Sequence, residues 1–253
     1  MFQYQSRTRA LPSLSVPLLL CLLYLSLNLF LTTLSNQPLV HGQASNPWVP
    51  ESAWDLPVGK TVWLQVSIGG VVQTDYLEIQ MFPALMPRAV ENFVQLCKGN
   101  TYKSKIDTTK YLMLKGTKFF RIIDTFGIFG GDTVTNDGSN GESIYGMTFV
   151  DEYLKLTHDS PYLVSYVKPG STPDTNNSQF MITMSQLKWL DHRYEIFGRL
   201  RNTSFALADK IQSSAATSGW SDIKTLPTVD VVIENCLETD PNPPPPASPP
   251  ATP

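Results

Sequence analysis

Between Lys118 and Gly146 the chain reads KFFRIIDTFGIFGGDTVTNDGSNGESIYG. A hydrophobic run bearing one arginine, Arg121, leads into a second apolar run that ends at Gly130-Gly131-Asp132. A loop rich in Gly and Asn follows and closes on Ser143-Ile144-Tyr145-Gly146. Short apolar runs bounded by turn residues are the signature of strands.

The rest of the chain has the same texture. From Thr61 to Ile68 the residues alternate, with Val62, Leu64, Val66 and Ile68 on one side, which predicts a strand with one face buried. Gly69-Gly70 turns it into a hairpin partner over 71–81. Pro87 fits the first turn of a helix on which Val90, Phe93, Val94 and Cys97 fall at i, i+3, i+4 and i+7, and Gly99 stops it. Residues 100–113 form a polar, Lys-rich loop. Further strands are expected at 118–123, 126–130, 162–167, 179–184, 195–201 and 228–235, with a short helix at 204–212. Eight short strands and two helices suit an all-β fold, a closed eight-stranded antiparallel barrel capped by two short helices.

The ends of the chain differ in kind from its middle. Arg7 and Arg9 precede an apolar run from Val16 to Leu34, with small residues Gly42 and Ala44 beyond it. This pattern reads as a secretory signal over 1–44, either cleaved or kept as a membrane anchor by residues 16–34. The apolar block is too continuous for an amphipathic organellar presequence. Residues 45–59 read as an extended lead-in carrying Trp48 and Trp54, and 60–237 as the folded domain. From 238 the chain turns proline-rich, with eight prolines in the last thirteen residues, a composition that cannot pack a core.

Composition excludes several function classes. Lys+Arg (19) do not outnumber Asp+Glu (22), so there is no basic excess to bind nucleic acid. His41, His158 and His192 are scattered, and the stretch around Asp137-Gly138 lacks the final Glu of a calcium loop, so neither a metal nor a cofactor is expected. No G-x-S-x-G elbow or phosphate-binding loop is present. Outside the targeting segment the cysteines are Cys97 and Cys236, which in an oxidising compartment are either a disulfide or two separate buried thiols. Asn176 and Asn202 open sequons that could carry glycans in the secretory pathway.

Many short motifs stand in one order. They are Pro87-Arg88-Ala89-Val90-Glu91-Asn92-Phe93, Lys115-Gly116, Phe119, Gly130-Gly131-Asp132, Ser143-Ile144-Tyr145-Gly146, Phe149 with Asp151-Glu152, Asn176 with Ser178-Gln179-Phe180, Trp189-Leu190-Asp191 and Phe197-Gly198. Over about residues 60–237 this set resembles the cyclophilin family of peptidyl-prolyl cis-trans isomerases. The resemblance implies a barrel that binds proline-containing peptide or protein. Arg121 would donate to the prolyl nitrogen, Phe126, Met181, Trp189 and Leu190 would form the pocket and rim, and Gln179 would bond the substrate backbone.

The departures from the family pattern are equally specific. Its F-H-R is Phe119-Phe120-Arg121, and its F-M-x-Q-G-G-D is Phe126-Gly127-Ile128-Phe129-Gly130-Gly131-Asp132. Its A-N-A segment is Val167-Lys168-Pro169, and a histidine near the end of the W-L-D turn is Tyr194. Without the glutamine at 129 the arginine is oriented less firmly. The expectation is weak isomerase activity or none, and weak or no cyclosporin binding, because Gly127 and Lys168 alter the surface that ligand covers. A binding module or chaperone for proline-containing segments, and a structural subunit, are the alternative functions.

Overall fold

In the computed structural model, which describes residues 52–216 and 226–239, β1 (Lys60–Ile68) and β2 (Val71–Met81) form a hairpin about Gly69-Gly70. The signal or anchor segment, Trp48 and the chain beyond Thr239 lie outside the described residues, and Glu238 and Thr239, expected in the proline-rich tail, belong instead to the last strand because they pair with Val62 and Thr61. Helix α1 (Pro87–Lys98) follows, then β3 (Arg121–Ile123), β4 (Gly127–Gly130), β5 (Leu163–Tyr166), β6 (Phe180–Thr183) and β7 (Ile196–Leu200). Helix α2 (Phe205–Ala215) and β8 (Val231–Thr239) complete the order. The strands make one antiparallel sheet in the order β3-β4-β6-β5-β7-β2-β1-β8. The sheet is curled rather than a fully laddered closed barrel, since its edge strands β3 and β8 are not laddered to each other. The residues just before β3 reach β8 instead, through a Lys118–Val232 bridge and bonds from Phe119 N to Val231 O (2.9 Å) and Gly116 N to Ile233 O (2.7 Å).

The interior is what the alternation demands. Val62, Leu64, Val66, Leu77, Ile79, Ile122, Ile128, Val164, Ile182, Ile196 and Ile233 are all fully buried, and so are Phe93, Phe180 and Phe197. Phe93 of α1 meets Phe180 edge-on at 5.1 Å and Phe197 at 5.0 Å, so the helix plugs one end of the curl with aromatic area. The expectation of one exposed face on β1 is corrected. Trp63, Gln65 and Ser67 are also buried, because β1 lies between β2 and β8 and their side chains cover it. Trp63 Nε1 donates to Thr239 Oγ1 at 2.9 Å, and Ser67 Oγ donates to Glu234 Oε1 at 2.5 Å.

Two carboxylates and a disulfide bind the helix and loops to this core. Met86 offers α1 no side-chain cap, and Glu152 supplies one from elsewhere, accepting from Arg88 N at 3.1 Å and Ala89 N at 2.8 Å. A carboxylate at a helix N-terminus satisfies orphan donors and the positive end of the dipole together. Buried Glu142 accepts from Ser104 Oγ, from Lys105 N (2.7 Å) and from Ile106 N (3.1 Å), anchoring the loop 100–113. A disulfide joins Cys97 on α1 to Cys236 on β8. At the start of the domain Trp54 donates from Nε1 to Ser160 Oγ at 2.7 Å and packs edge-on to Phe205. No helix among the described residues is long and apolar enough to cross a membrane.

Candidate active site

The site begins with strand register. Arg121 on β3 stands opposite Phe129 on β4, Phe129 opposite Met181 on β6, and Met181 opposite Ser165 on β5. Successive side chains of a strand alternate in face. Ile122, Ile128, Ile182 and Val164 therefore make the parallel row that fills the core, and Arg121, Phe129 and Met181 share the other face.

Beside that row lies a cavity of about 360 Å³. Phe120, Arg121 and Phe129 form one wall, Gly138 to Gly141 a second, Met147 and Thr148 a third, and Val167, Pro169, Asn177 and Gln179 the last. Asp132 builds the second wall from beneath. Its buried carboxylate collects the N–H groups of Val134 (3.0 Å), Thr135 (2.8 Å), Asp137 (3.2 Å), Gly138 (2.9 Å) and Asn140 (3.3 Å). Burial pushes its pKa up, but the bonds from Thr135, Val134 and Asn140 outweigh that and hold it below the usual value. Gly131 precedes it at φ +88°, where a Cβ would stand 2.2 Å from Ser178 O, so only glycine fits.

Gln179 is held from two directions. Its N–H donates to Asn177 Oδ1 at 2.7 Å, and its Nε2 donates to Gly138 O at 3.0 Å. Gln179 is one of the residues that line the cavity. Asn92 on α1 braces both loops behind the site, donating to Tyr166 Oη (3.1 Å) and Asn177 O (3.0 Å) and accepting from Ile144 N (2.9 Å).

Arg121 is half-buried, and burial lowers its pKa from the ordinary arginine value without a carboxylate to oppose it. Among the described residues its guanidinium has no hydrogen-bond or carboxylate partner, and it lies 6.0 Å from the centroid of the Phe129 ring. A cation so placed keeps its N–H donors for a bound molecule.

Phe126, Met181 and Leu190 do not line this cavity. They are buried in an adjacent apolar cluster with Phe120, Phe129 and Leu187, against which Val167 and Tyr194 pack. Phe126 stacks on Trp189 at 5.5 Å and 22°, and meets Phe129 at 5.4 Å. Trp189 remains 52% exposed. Two expectations are corrected. Lys168 does not stand on the outer surface. Its side chain turns inward to Asp151 Oδ1 (2.5 Å) and Arg193 O (2.6 Å), so only its neighbours Val167 and Pro169 reach the cavity. Asn176 is fully buried and its Nδ2 donates to Asp151 and Glu195, which leaves no room for a glycan, whereas Asn202 is exposed.

Two buried groups escaped sequence reasoning. Glu195 is fully buried and its pKa is pushed up to about 7 by burial, against bonds from the backbone of Tyr153 and Glu152. His158 touches Ser165 Oγ at 2.7 Å through Nε2 and Asp191 Oδ1 at 3.1 Å through Nδ1. The order matches a nucleophile, base and orienting acid, but His158 and Ser165 are wholly buried, so no substrate reaches them and the bonds serve the core. No His, Cys, Asp and Glu among the described residues cluster as metal ligands.

The model of the family described as cyclophilin type peptidyl-prolyl cis-trans isomerase/CLD matches residues 65–238. Peptidyl-prolyl cis-trans isomerase CYP22 of Arabidopsis thaliana is 35% identical over 182 residues, covering 72% of this chain and 85% of the relative. Peptidyl-prolyl cis-trans isomerase CYP21-1 of the same organism is 38% identical over 146 residues, covering 58% of this chain and 63% of the relative.

Proposed function

The chain belongs to the cyclophilin-type peptidyl-prolyl cis-trans isomerase family, and we propose that it isomerises X-Pro bonds weakly, at Arg121, while assisting protein folding in the secretory pathway. The observation that carries the reading is the guanidinium of Arg121, without a hydrogen-bond or carboxylate partner among the described residues, on the lining of a peptide-sized cavity that Gln179 also lines.

The chemistry requires no nucleophile. Resonance sets the barrier of the prolyl amide, and uncatalysed exchange takes roughly tens to hundreds of seconds. As the C–N bond twists, the prolyl nitrogen recovers lone-pair character and becomes an acceptor. A fixed N–H donor that bonds it only in the twisted state lowers the barrier without tightening the ground state. Arg121 is that donor, and Gln179 takes the neighbouring backbone N–H through its amide oxygen. Phe120, Phe129, Met147 and Val167 on the cavity walls give the proline ring an apolar surface.

Activity is weak in this reading because a phenylalanine at 129 cannot hydrogen-bond the guanidinium, and because Phe126, Met181 and Leu190 are packed together rather than opened as a pocket. The same packing favours a second reading, a module that grips proline-containing segments on Trp189 and the cavity without efficient turnover. Secretory entry rests on Arg7, Arg9 and the apolar run 16–34, with the closed Cys97–Cys236 pair in support.

The test is exchange of a cis/trans Ala-Pro peptide catalysed by the purified protein, with Arg121→Ala alongside. The isomerase reading expects measurable acceleration that falls at least tenfold in the variant. A folded wild-type protein that binds the peptide but leaves its exchange rate untouched would hand the site to the binding reading.

A further inference from the structure

The position that sets this site apart is 129, and the geometry there is built rather than incidental. Phe129 is 7% exposed, directly opposite Arg121 in the β3–β4 ladder, with its ring 6.0 Å from the guanidinium carbon. Two residues back on the same face stands Gly127. A Cβ at 127 would lie 3.3 Å from Phe129 Cε2 and 3.1 Å from Ile182 O, so the ring occupies the space that a side chain at 127 would need. On its far side the ring meets Phe126, which in turn stacks on Trp189. The chain has thus lost a side chain at one position and enlarged another two residues away, with the second filling the space of the first.

We infer that Phe129 is the positioning residue of the site, its ring flanking Arg121 in place of a hydrogen-bonding amide, and that Gly127 exists to admit that ring. The inference rests on the isomerase reading and adds the means by which the arginine is aimed. A cation near the face of an aromatic ring is attracted by the ring's quadrupole and restricted in where it can swing. The ring is held by its contact with Phe126 and by the strand register. Phe129 touches neither the prolyl nitrogen nor its proton, so its effect on rate passes through Arg121.

The test uses Phe129→Leu, which keeps apolar bulk and removes the ring, with Phe129→Tyr retaining the ring and Gly127→Ala displacing it by a few tenths of an ångström. Peptide exchange and peptide affinity are measured separately by NMR. The expected result is an exchange rate about tenfold lower in Phe129→Leu, worth about 1.4 kcal/mol of transition-state stabilisation. Peptide affinity should stay within about twofold and the Phe129→Tyr rate near wild type. Added to Arg121→Ala, Phe129→Leu should cost nothing further, because the residue it positions is gone. Equal rates in Phe129→Leu and wild type, or an equal loss with and without Arg121, would overturn the inference, the latter marking a purely structural role. If the wild-type protein shows no turnover, the isomerase reading falls, and positioning is read from the Arg121 Nε–Hε resonance instead. A ring-current shift present in wild type and reduced in Phe129→Leu and Gly127→Ala supports it, and an unmoved resonance refutes it.

Discussion

Asn92 is a buried amide with no charge to neutralise and three bonds to make, which makes its removal a quantitative test of how the site is braced. It is fully buried on α1, donates to Tyr166 Oη and Asn177 O, and accepts from Ile144 N. In Asn92→Leu the Tyr166 hydroxyl still donates to Ala89 O at 2.7 Å, so its loss is small. The Ile144 N–H and the Asn177 carbonyl lose this partner, and the leucine side chain offers them none in its place. Each such orphan costs roughly 1–3 kcal/mol, and leucine returns about 1 kcal/mol by apolar burial. The net is about 3 kcal/mol. For a domain of this size, that lowers Tm by roughly 6–12 °C. Thermal unfolding followed by circular dichroism gives the shift, and amide hydrogen exchange gives the location, because Ile144 should lose protection while the strand amides of β1 keep theirs. Peptide affinity should fall with it, since the loops carrying Ile144 and Asn177 border the cavity. A Tm change under about 2 °C with Ile144 still protected would refute the argument that this amide braces both loops.

Glu195 makes the stability depend on pH in the direction opposite to an ordinary salt-bridged acid. Its folded pKa of about 7 lies above the ordinary 4.5, so the stability it contributes is fully present below about pH 4.5 and is lost as pH rises through 7, by about 3 kcal/mol in all. Glu195→Gln should flatten the unfolding midpoint between pH 4.5 and 7.5, and an unchanged slope would dismiss the group. The Cys97–Cys236 bridge closes a loop with a sequence separation of 139. Reduction, or the Cys97→Ser/Cys236→Ser pair, should cost on the order of 2–4 kcal/mol in urea unfolding, and coincident curves with and without reductant would contradict that.

Much of this architecture can be read along the chain because its causes are local. The alternation of Val62, Leu64 and Val66, the Gly69-Gly70 turn and the Pro87-to-Gly99 helix boundaries all act within a few residues, and the elements start and stop close to where those signals stand. Arg121 was visible as a charge set between Phe119-Phe120 and Ile122-Ile123 in an apolar strand. The cavity walls at Gly138–Gly141 and Met147 were not, because loops carry no period and their shape is set by Asp132 gathering five backbone N–H groups from below. Lys168 read as a surface charge by type. Lys168 turns inward because Asp151 and the Arg193 carbonyl offer it partners there.

The sequence alone determined the family, the strand and helix succession, and the identity of the charge at the site's centre. Those follow from side-chain period, turn chemistry and motif order, which one linear string contains. Tertiary structure decided which side chains became neighbours: that Phe129 lies across from Arg121 and over Gly127, that Cys97 meets Cys236, that Asn176 is sealed beneath the surface, and that Phe126 stacks on Trp189. The physical reason is that register and packing are settled between segments far apart in the chain, where a shift of one residue on a strand exchanges its buried and exposed faces.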